Sequence, residues 1–70
     1  MVVDASAVLA ILFNEPERDR FARAVADAGV RLLGAVNALE AAVVVGARKG
    51  PAGGRELDLL LHHADIEIVD

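Results

Sequence analysis

Two acidic residues stand where a strand would give way to a helix, and each has a polar neighbour. Asp4 follows the apolar pair Val2-Val3, and Ser6 comes two residues later. Glu40 comes three residues after Asn37, beyond a second apolar stretch. In parallel α/β sheets, ligands and metals bind outside the carboxyl ends of the strands, where such junctions lie. The four polar residues are therefore the first candidates for chemistry.

In a parallel sheet both helices begin at the same edge, so Asp4 and Glu40 can converge although they are far apart in sequence. Two carboxylates suit a hard cation: Mg²⁺ prefers one or two carboxylates together with water and substrate phosphate oxygens. A cation held in this way activates water for the hydrolysis of a phosphodiester. The spacing therefore admits a metal-dependent hydrolytic site.

Each of these residues also has a purely structural interpretation. Asp4 is a good helix N-cap, because its side chain accepts a backbone N–H from the first turn. Asn37 and Glu40 have the spacing of a capping box, in which the glutamate reaches back to the N–H of the capping residue. Ser6 can satisfy a helix start or support Asp4 or a phosphate, and Asn37 can cap its helix or bond a site carboxylate. Spacing alone leaves these alternatives open.

The elements that position these residues follow from hydrophobic periodicity and from chain breakers. Apolar residues recur with helical spacing in four segments, and Pro16, Gly29 and Gly50-Pro51 mark starts and stops. We expect strands at 2–3, 30–35 and 66–69, and helices at 5–13, at 16–28, from 37 to the break at 50, and around 57–61.

The predicted order is βααβααβ, an α/β fold. Right-handed crossovers make the sheet three-stranded and parallel, with helices on both faces. Glu67 interrupts the last apolar stretch, which favours an edge strand. The run Val43-Val44-Val45 favours a strand by propensity, but its alanine-rich flanks and the capping signal at Asn37 favour a helix.

Composition limits the classes of function. Seventy residues suit one small domain or a piece of one, and 56% of them are hydrophobic, which predicts an aliphatic core. The net charge of −4 argues against sequence-independent binding of nucleic acid by the chain as a whole, although not against an acidic metal site. The lack of cysteine permits a cytoplasmic setting, and no apolar stretch approaches the roughly 18 residues of a membrane span.

Two further pairs receive no catalytic role. His62 and His63 are adjacent and have no histidine partner four residues away on a helix, so we do not expect them to act in catalysis. Arg48 and Lys49 lie near a helix end, where the helix dipole and solvent explain them.

Four segments, in this order and spacing, resemble the N-terminal half of a PIN-domain ribonuclease, most closely the VapC-type toxins of bacterial toxin–antitoxin pairs. The resemblance covers nearly the whole chain and about half of the family domain. The matching segments are Met1-Val2-Val3-Asp4-Ala5-Ser6-Ala7, Asn14-Glu15-Pro16-Glu17, Ala35-Val36-Asn37-Ala38-Leu39-Glu40-Ala41 and Ile66-Glu67-Ile68-Val69.

The resemblance implies that residues 1–70 are the N-terminal part of a PIN-like domain. It assigns Asp4 and Glu40 as catalytic acids that bind Mg²⁺ or Mn²⁺, and Ser6 as a supporting hydroxyl. Asn37 stands where the family more often has threonine or serine. The remaining acids of the family lie beyond the third strand, and Asp70 does not replace them. The catalytic site is therefore expected to be incomplete in this chain.

Three functions remain open. The first is a metal-dependent endoribonuclease of the toxin type, with an RNA substrate and a protein antitoxin as partners. The second is a non-catalytic antitoxin-binding or dimerisation module that uses the apolar first and second helices, and the third is another small α/β domain in which Asp4 and Glu40 only cap helices.

In a truncated form of the family domain, Val2 and Val3 present an unpaired apolar edge. Such an edge favours a homo-oligomer.

Overall fold

Strands and helices alternate along the chain, as the hydrophobic pattern predicts. The computed structural model describes residues 1–70, and each strand is only two or three residues long. None of the helices combines the length and the apolar character needed to cross a lipid bilayer. In chain order the elements are β1 (Val2–Val3), α1 (Ala5–Leu12), α2 (Arg18–Asp27), β2 (Leu32–Gly34), α3 (Ala35–His63) and β3 (Glu67–Val69).

The three strands form one parallel sheet in the order β1-β2-β3, which confirms the predicted α/β fold. Val3 lies beside Leu33, and Leu33 lies beside Ile68, in the register of the two ladders. β2 is central and Leu33 is fully buried, whereas β1 and β3 each have a free edge. The predictions that Glu67 belongs to an edge strand and that Val2 and Val3 lie at an unpaired edge are both confirmed.

The helices pack against one face of the sheet, which differs from the expected covering of both faces. Val3 and Leu33 point into a single core that includes residues of α1, α2 and α3. Val2, the alternate residue of β1, is 79% exposed. Because the strands are added in one direction, from β1 to β2 to β3, two right-handed crossovers fall on the same side of the sheet.

The two last predicted helices both form, and the predicted break between them lies at Gly50, where α3 has a kink with a non-helical backbone. Gly50 has φ 66° and ψ −156°, a backbone conformation that is open essentially only to glycine. Pro51 follows the bend, where a helical segment starts anew and the missing N–H of proline is tolerated. The run Val43–Val45 is helical as predicted, and Val45 is fully buried.

α2 and β2 are each three residues shorter than the sequence predicts, and α1 and β3 are each one residue shorter. α2 begins at Arg18 instead of Pro16, because Pro16 and Glu17 form a turn that a hydrogen bond from the Arg18 N–H to the Glu15 carbonyl closes at 2.9 Å. β2 spans only Leu32–Gly34, within the expected 30–35. These shifts leave the positions of the candidate site residues unchanged.

The sequence analysis assigned no role to Arg31, but this residue joins the ends of two helices to the start of β2. Its guanidinium donates to three backbone carbonyls, from Nε to Ala28 (3.1 Å), from Nη1 to Ala64 (2.7 Å) and from Nη2 to Ala26 (3.0 Å). These carbonyls lie at the ends of α2 and α3, where helices leave acceptors unpaired and favour positive charge.

We expect Arg31→Lys to lower the free energy of unfolding by about 2 kcal/mol, because lysine keeps the charge but cannot serve three carbonyls from one planar group. Arg23 is exposed on α2 and makes no hydrogen bond or ion pair, so Arg23→Lys is the matched control and should change stability by less than about 0.5 kcal/mol. Urea denaturation followed by circular dichroism measures both. If the two variants are equally stable, the hydrogen bonds from Arg31 to the three carbonyls do not stabilise the fold.

Arg48 and Lys49 fasten the end of α1 to α3, a role beyond the expected interaction with the helix dipole and solvent. The Arg48 guanidinium lies 4.0 Å from the centre of the Phe13 ring. Lys49 Nζ lies 2.7 Å from Glu56 Oε2 and 3.4 Å from the Leu12 carbonyl. A cation over an exposed aromatic ring typically contributes about 0.5–1 kcal/mol.

Candidate functional site

The carboxyl ends of β1 and β2 lie at the same edge of the sheet. The helices that carry the predicted site residues begin there. Asp4 follows β1 with an extended backbone (φ −105°, ψ 170°) and is the N-cap of α1. Its Oδ1 accepts a hydrogen bond from the Ala7 N–H at 2.9 Å, which confirms the capping interpretation. Its Oδ2 accepts no hydrogen bond from the protein, and the residue is exposed. One carboxylate oxygen is therefore free for a further ligand.

Asn37 connects the starts of two helices, whereas the sequence left open that it caps its own helix or bonds a site carboxylate. α3 begins at Ala35 directly after β2, and its N-cap is Gly34, which has no capping side chain. Asn37 Oδ1 instead accepts a hydrogen bond from the Ala5 N–H at 3.1 Å. Because Ala5 follows Asp4, this bond draws the first turn of α3 against the first turn of α1. Asn37 bonds no carboxylate.

Glu40 lies one helical turn after Asn37 and is exposed. The capping-box interpretation is wrong, since α3 begins at Ala35 and no hydrogen bond joins the Glu40 carboxylate to the Asn37 N–H. Side chains three residues apart on a helix are neighbours, so Glu40 is one turn away from the junction of α3 with α1. Neither Glu40 nor Asp4 takes part in an ion pair.

The other polar residues make no contacts with Asp4 or Glu40 that would add to the candidate site. Ser6 is exposed in the first turn of α1, and its hydroxyl makes no hydrogen bond, because Asp4 already caps this helix. His62 and His63 are exposed at the end of α3 with their ring centres 5.7 Å apart. Asp70 follows β3, on the far side of β2 from Asp4. No three acidic or histidine side chains form a group that would hold a metal ion.

The donor set still fits a hard divalent cation. Asp4 and Glu40 offer carboxylate oxygens that are exposed and free of cationic partners. Mg²⁺ typically takes one or two carboxylates and completes its shell with water and phosphate oxygens. Two acids therefore match the chemistry of a magnesium or manganese site, although they leave most of the coordination shell to other groups.

Comparison with protein families shows to which family the chain with this candidate site belongs. The family model described as "PIN domain" matches residues 1–70. The chain belongs to the PIN-domain family. The expectation from the four matching segments is confirmed, and this PIN domain carries Asp4 and Glu40 in two of those segments.

Curated relatives of the PIN domain are named as ribonucleases. Ribonuclease VapC30 of Mycobacterium tuberculosis is 48% identical over 69 residues, covering 99% of this chain and 53% of the relative. Ribonuclease VapC of Mycolicibacterium smegmatis is also 48% identical over 69 residues, covering 99% and 54%. Ribonuclease VapC28 of M. tuberculosis is 38% identical over 68 residues, covering 97% and 51%. The chain thus spans about half the length of the curated relatives it matches.

Sequence reasoning missed the contacts that hold this edge of the PIN domain together. The acceptor role of Asn37 depends on Ala5, which is 32 positions away, and the contact of Arg31 with Ala64 spans 33 positions. Helical spacing and capping motifs describe neighbours within a few residues. No local signal in the sequence points to either pair.

Proposed function

We propose that this PIN domain is the N-terminal part of a metal-dependent endoribonuclease of the toxin type. The observation that supports it most is the hydrogen bond between the Ala5 N–H and Asn37 Oδ1, which joins the first turns of α1 and α3. Asp4 and Glu40 flank this junction as carboxylates without cationic partners. Relatives named ribonuclease VapC support RNA as the substrate class.

In this proposal each residue has a distinct task. Asp4 caps α1 through Oδ1 and offers Oδ2 to Mg²⁺ or Mn²⁺, and Glu40 offers the second carboxylate. Ser6, whose hydroxyl has no protein partner, hydrogen-bonds Asp4 or a substrate phosphate. Asn37 is a positioning residue that holds the two helix starts together. A bound divalent cation supplies positive charge beside the scissile phosphate and activates water for attack.

The proposed site is incomplete in this chain, so the cleavage activity of the 70-residue form should be low or absent. Two carboxylates hold a divalent cation weakly, since the remaining ligands must come from water and substrate. Further acids would come from the part of the relatives that this chain does not span. Metal affinity is therefore a more sensitive measurement than cleavage for this form.

We expect wild-type protein to bind Mg²⁺ or Mn²⁺, and Glu40→Gln to weaken that binding at least about tenfold, or about 1.4 kcal/mol, because the amide carries no charge. Asp58 is an exposed acid elsewhere on α3 without an ion pair, so Asp58→Asn is the matched control and should bind as wild type does. Isothermal titration calorimetry measures the affinities, and labelled RNA reports metal-dependent cleavage.

The outcomes separate the candidate functions. Cleavage or metal binding that depends on Glu40 but not on Asp58 supports the nuclease. Folded protein that binds neither Mg²⁺ nor Mn²⁺ and cleaves no RNA overturns it. Equal losses in both variants would point to general attraction of cations to an acidic chain, and would also count against the site.

A pocket of about 230 Å³ favours the second candidate, a non-catalytic module that binds a protein antitoxin. Apolar residues of α1, α2 and the end of α3, among them Ile11, Val25 and Leu60, line it together with Arg31 and His63. Its volume is below the roughly 300 Å³ at which small-molecule sites begin, which suits a single apolar side chain of a protein partner.

Self-association and location complete the proposal. Val36, Leu39 and Val43 are 63–81% exposed along one face of α3, and an exposed apolar stripe of this kind supports a homo-oligomer. The cytoplasm is the location that fits an RNA substrate and a chain without cysteine.

A further inference from the structure

The side-chain amide of Asn37 uses only one of its two ends within the protein. Its Oδ1 accepts the Ala5 N–H at 3.1 Å. A backbone N–H can only donate, so this bond fixes which end of the amide is oxygen. Nδ2 is therefore the end directed away from Ala5, and neither of its two N–H groups has an acceptor in the protein. The residue is half-buried, but Nδ2 is not shut off from solvent.

Gly34, the last residue of β2, leaves the space beside Nδ2 open. A Cβ at this position would lie 3.8 Å from Asn37 Nδ2, in ordinary contact with it. The backbone of Gly34 (φ −63°, ψ 147°) is in a region that every residue adopts. Its conformation therefore does not require glycine. What the missing side chain does here is to leave the free donors uncovered on the side of β2.

The free donors suit a phosphate oxygen and cannot serve a metal ion. An amide nitrogen carries two N–H groups and donates only, so its acceptor must come from outside the chain. Ala5, which binds the other end of the amide, directly follows Asp4. The donors thus belong to the same junction as the carboxylate that is proposed to hold the cation. Phosphate oxygens complete the shell of a magnesium ion bound by carboxylates, which brings a phosphate to this junction.

We propose that Asn37 Nδ2 donates a hydrogen bond to a non-bridging oxygen of the RNA phosphodiester, while Oδ1 holds the starts of α1 and α3 together. The inference rests on the proposed function, since it takes RNA as the substrate. Asn37 is then a substrate-binding residue as well as a positioning residue. Hydrogen bonds to a charged acceptor are stronger than those between neutral groups. The site thus gains a contact with the phosphate that does not pass through the metal.

The chain contains only two side-chain amides, those of Asn14 and Asn37, and no glutamine. Each amide can therefore be followed separately in a proton–nitrogen correlation spectrum, and Asn14→Asp assigns the signals by removing one pair. The probe is dimethyl phosphate, a phosphodiester without bases. We expect the Nδ2 protons of Asn37 to shift downfield along a saturable curve. Asn14 lies beyond the end of α1 and is the internal control, whose signals should not move.

Asn37→Asp separates the two ends of the amide. Its carboxylate still accepts the Ala5 N–H but has no donor for phosphate, so circular dichroism should show a folded chain. Backbone amide shifts should show that dimethyl phosphate binds at least about tenfold more weakly. Val36→Asp is the matched control for charge, because Val36 is 81% exposed and precedes Asn37. This variant keeps the amide, and at physiological ionic strength it should change the affinity less than about threefold.

The titration is run without metal and with Mg²⁺, so that this inference and the nuclease proposal fail separately. A shift of Asn37 alone in either condition, together with binding that is lost in Asn37→Asp and kept in Val36→Asp, supports the phosphate contact. The inference is overturned if the Asn37 signals do not move in either condition, if Asn14 moves as much, or if both variants lose affinity equally. A chain that binds no Mg²⁺ counts against the nuclease proposal, and the metal-free titration then decides on the phosphate contact.

Discussion

An Asp4→Asn variant is expected to fold as stably as the wild type and to bind Mg²⁺ at least about tenfold more weakly. Asparagine is as good an N-cap as aspartate, since its Oδ1 still accepts the Ala7 N–H that Asp4 accepts at 2.9 Å. The amide lacks the negative charge and the second carboxylate oxygen, and a tenfold loss corresponds to about 1.4 kcal/mol. Thermal unfolding and calorimetric titration with Mg²⁺ separate the two properties.

Asp4→Ala provides the contrast, because alanine neither caps nor carries charge. We expect it to lose about 0.5–2 kcal/mol of stability in addition to the metal affinity. If Asp4→Asn binds Mg²⁺ like the wild type while Asp4→Ala is destabilised, Asp4 is a helix cap and nothing more. That result would leave the third candidate, a small α/β domain in which the acids have only structural roles.

The second large effect concerns Gly53, where α3 folds back after its bend. We expect Gly53→Ala to lower the free energy of unfolding by roughly 1–3 kcal/mol. A Cβ at this position would lie 2.6 Å from Val45 Cγ1, 2.7 Å from Lys49 Cβ and 3.0 Å from the Val45 carbonyl oxygen. Val45 is fully buried and has no room to move away. In a domain of this size each kcal/mol lowers Tm by roughly 4–8 °C.

Gly54 is the matched control for this prediction. It is the next residue of the same helix, and a Cβ there would meet no atom within 4 Å. Because alanine is favoured over glycine in helices, Gly54→Ala should raise stability by up to about 1 kcal/mol. Thermal unfolding of the two variants should therefore move in opposite directions. A Gly53→Ala protein as stable as Gly54→Ala would mean that the two segments of α3 separate easily.

Local features of the sequence predicted what depends on neighbouring residues. The helix at Val43–Val45, the break at Gly50 and the cap at Asp4 all follow from interactions within a few residues, and each is present. The single covered face of the sheet was not predicted, since it depends on the direction in which strands are added. Strand segments as short as β1 and β2 contain no signal for that direction.

In the candidate site, too, local features were predicted from the sequence and contacts with distant residues were not. The residues around Asp4 left both capping and metal binding open, and the capping interpretation is confirmed. Asn37 does not cap its own helix, one of the two roles left open for it, because β2 passes into α3 without a loop and the helix begins before Asn37. Metal binding by Asp4 and Glu40 stays a prediction, since it depends on a cation and on groups beyond this chain.

The hydrogen bond from Ala5 to Asn37 also imposes an order on folding. The hydrogen bonds within α1 join residues close in sequence, but the Ala5 N–H gains its partner only after α3 has docked, 32 positions later in the chain. Closing so long a loop costs entropy before the contact repays it. The sheet edge that carries Asp4 and the first turn of α3 is therefore completed only after this loop has closed. A chain still being synthesised lacks that edge until the residues beyond Glu40 have left the ribosome.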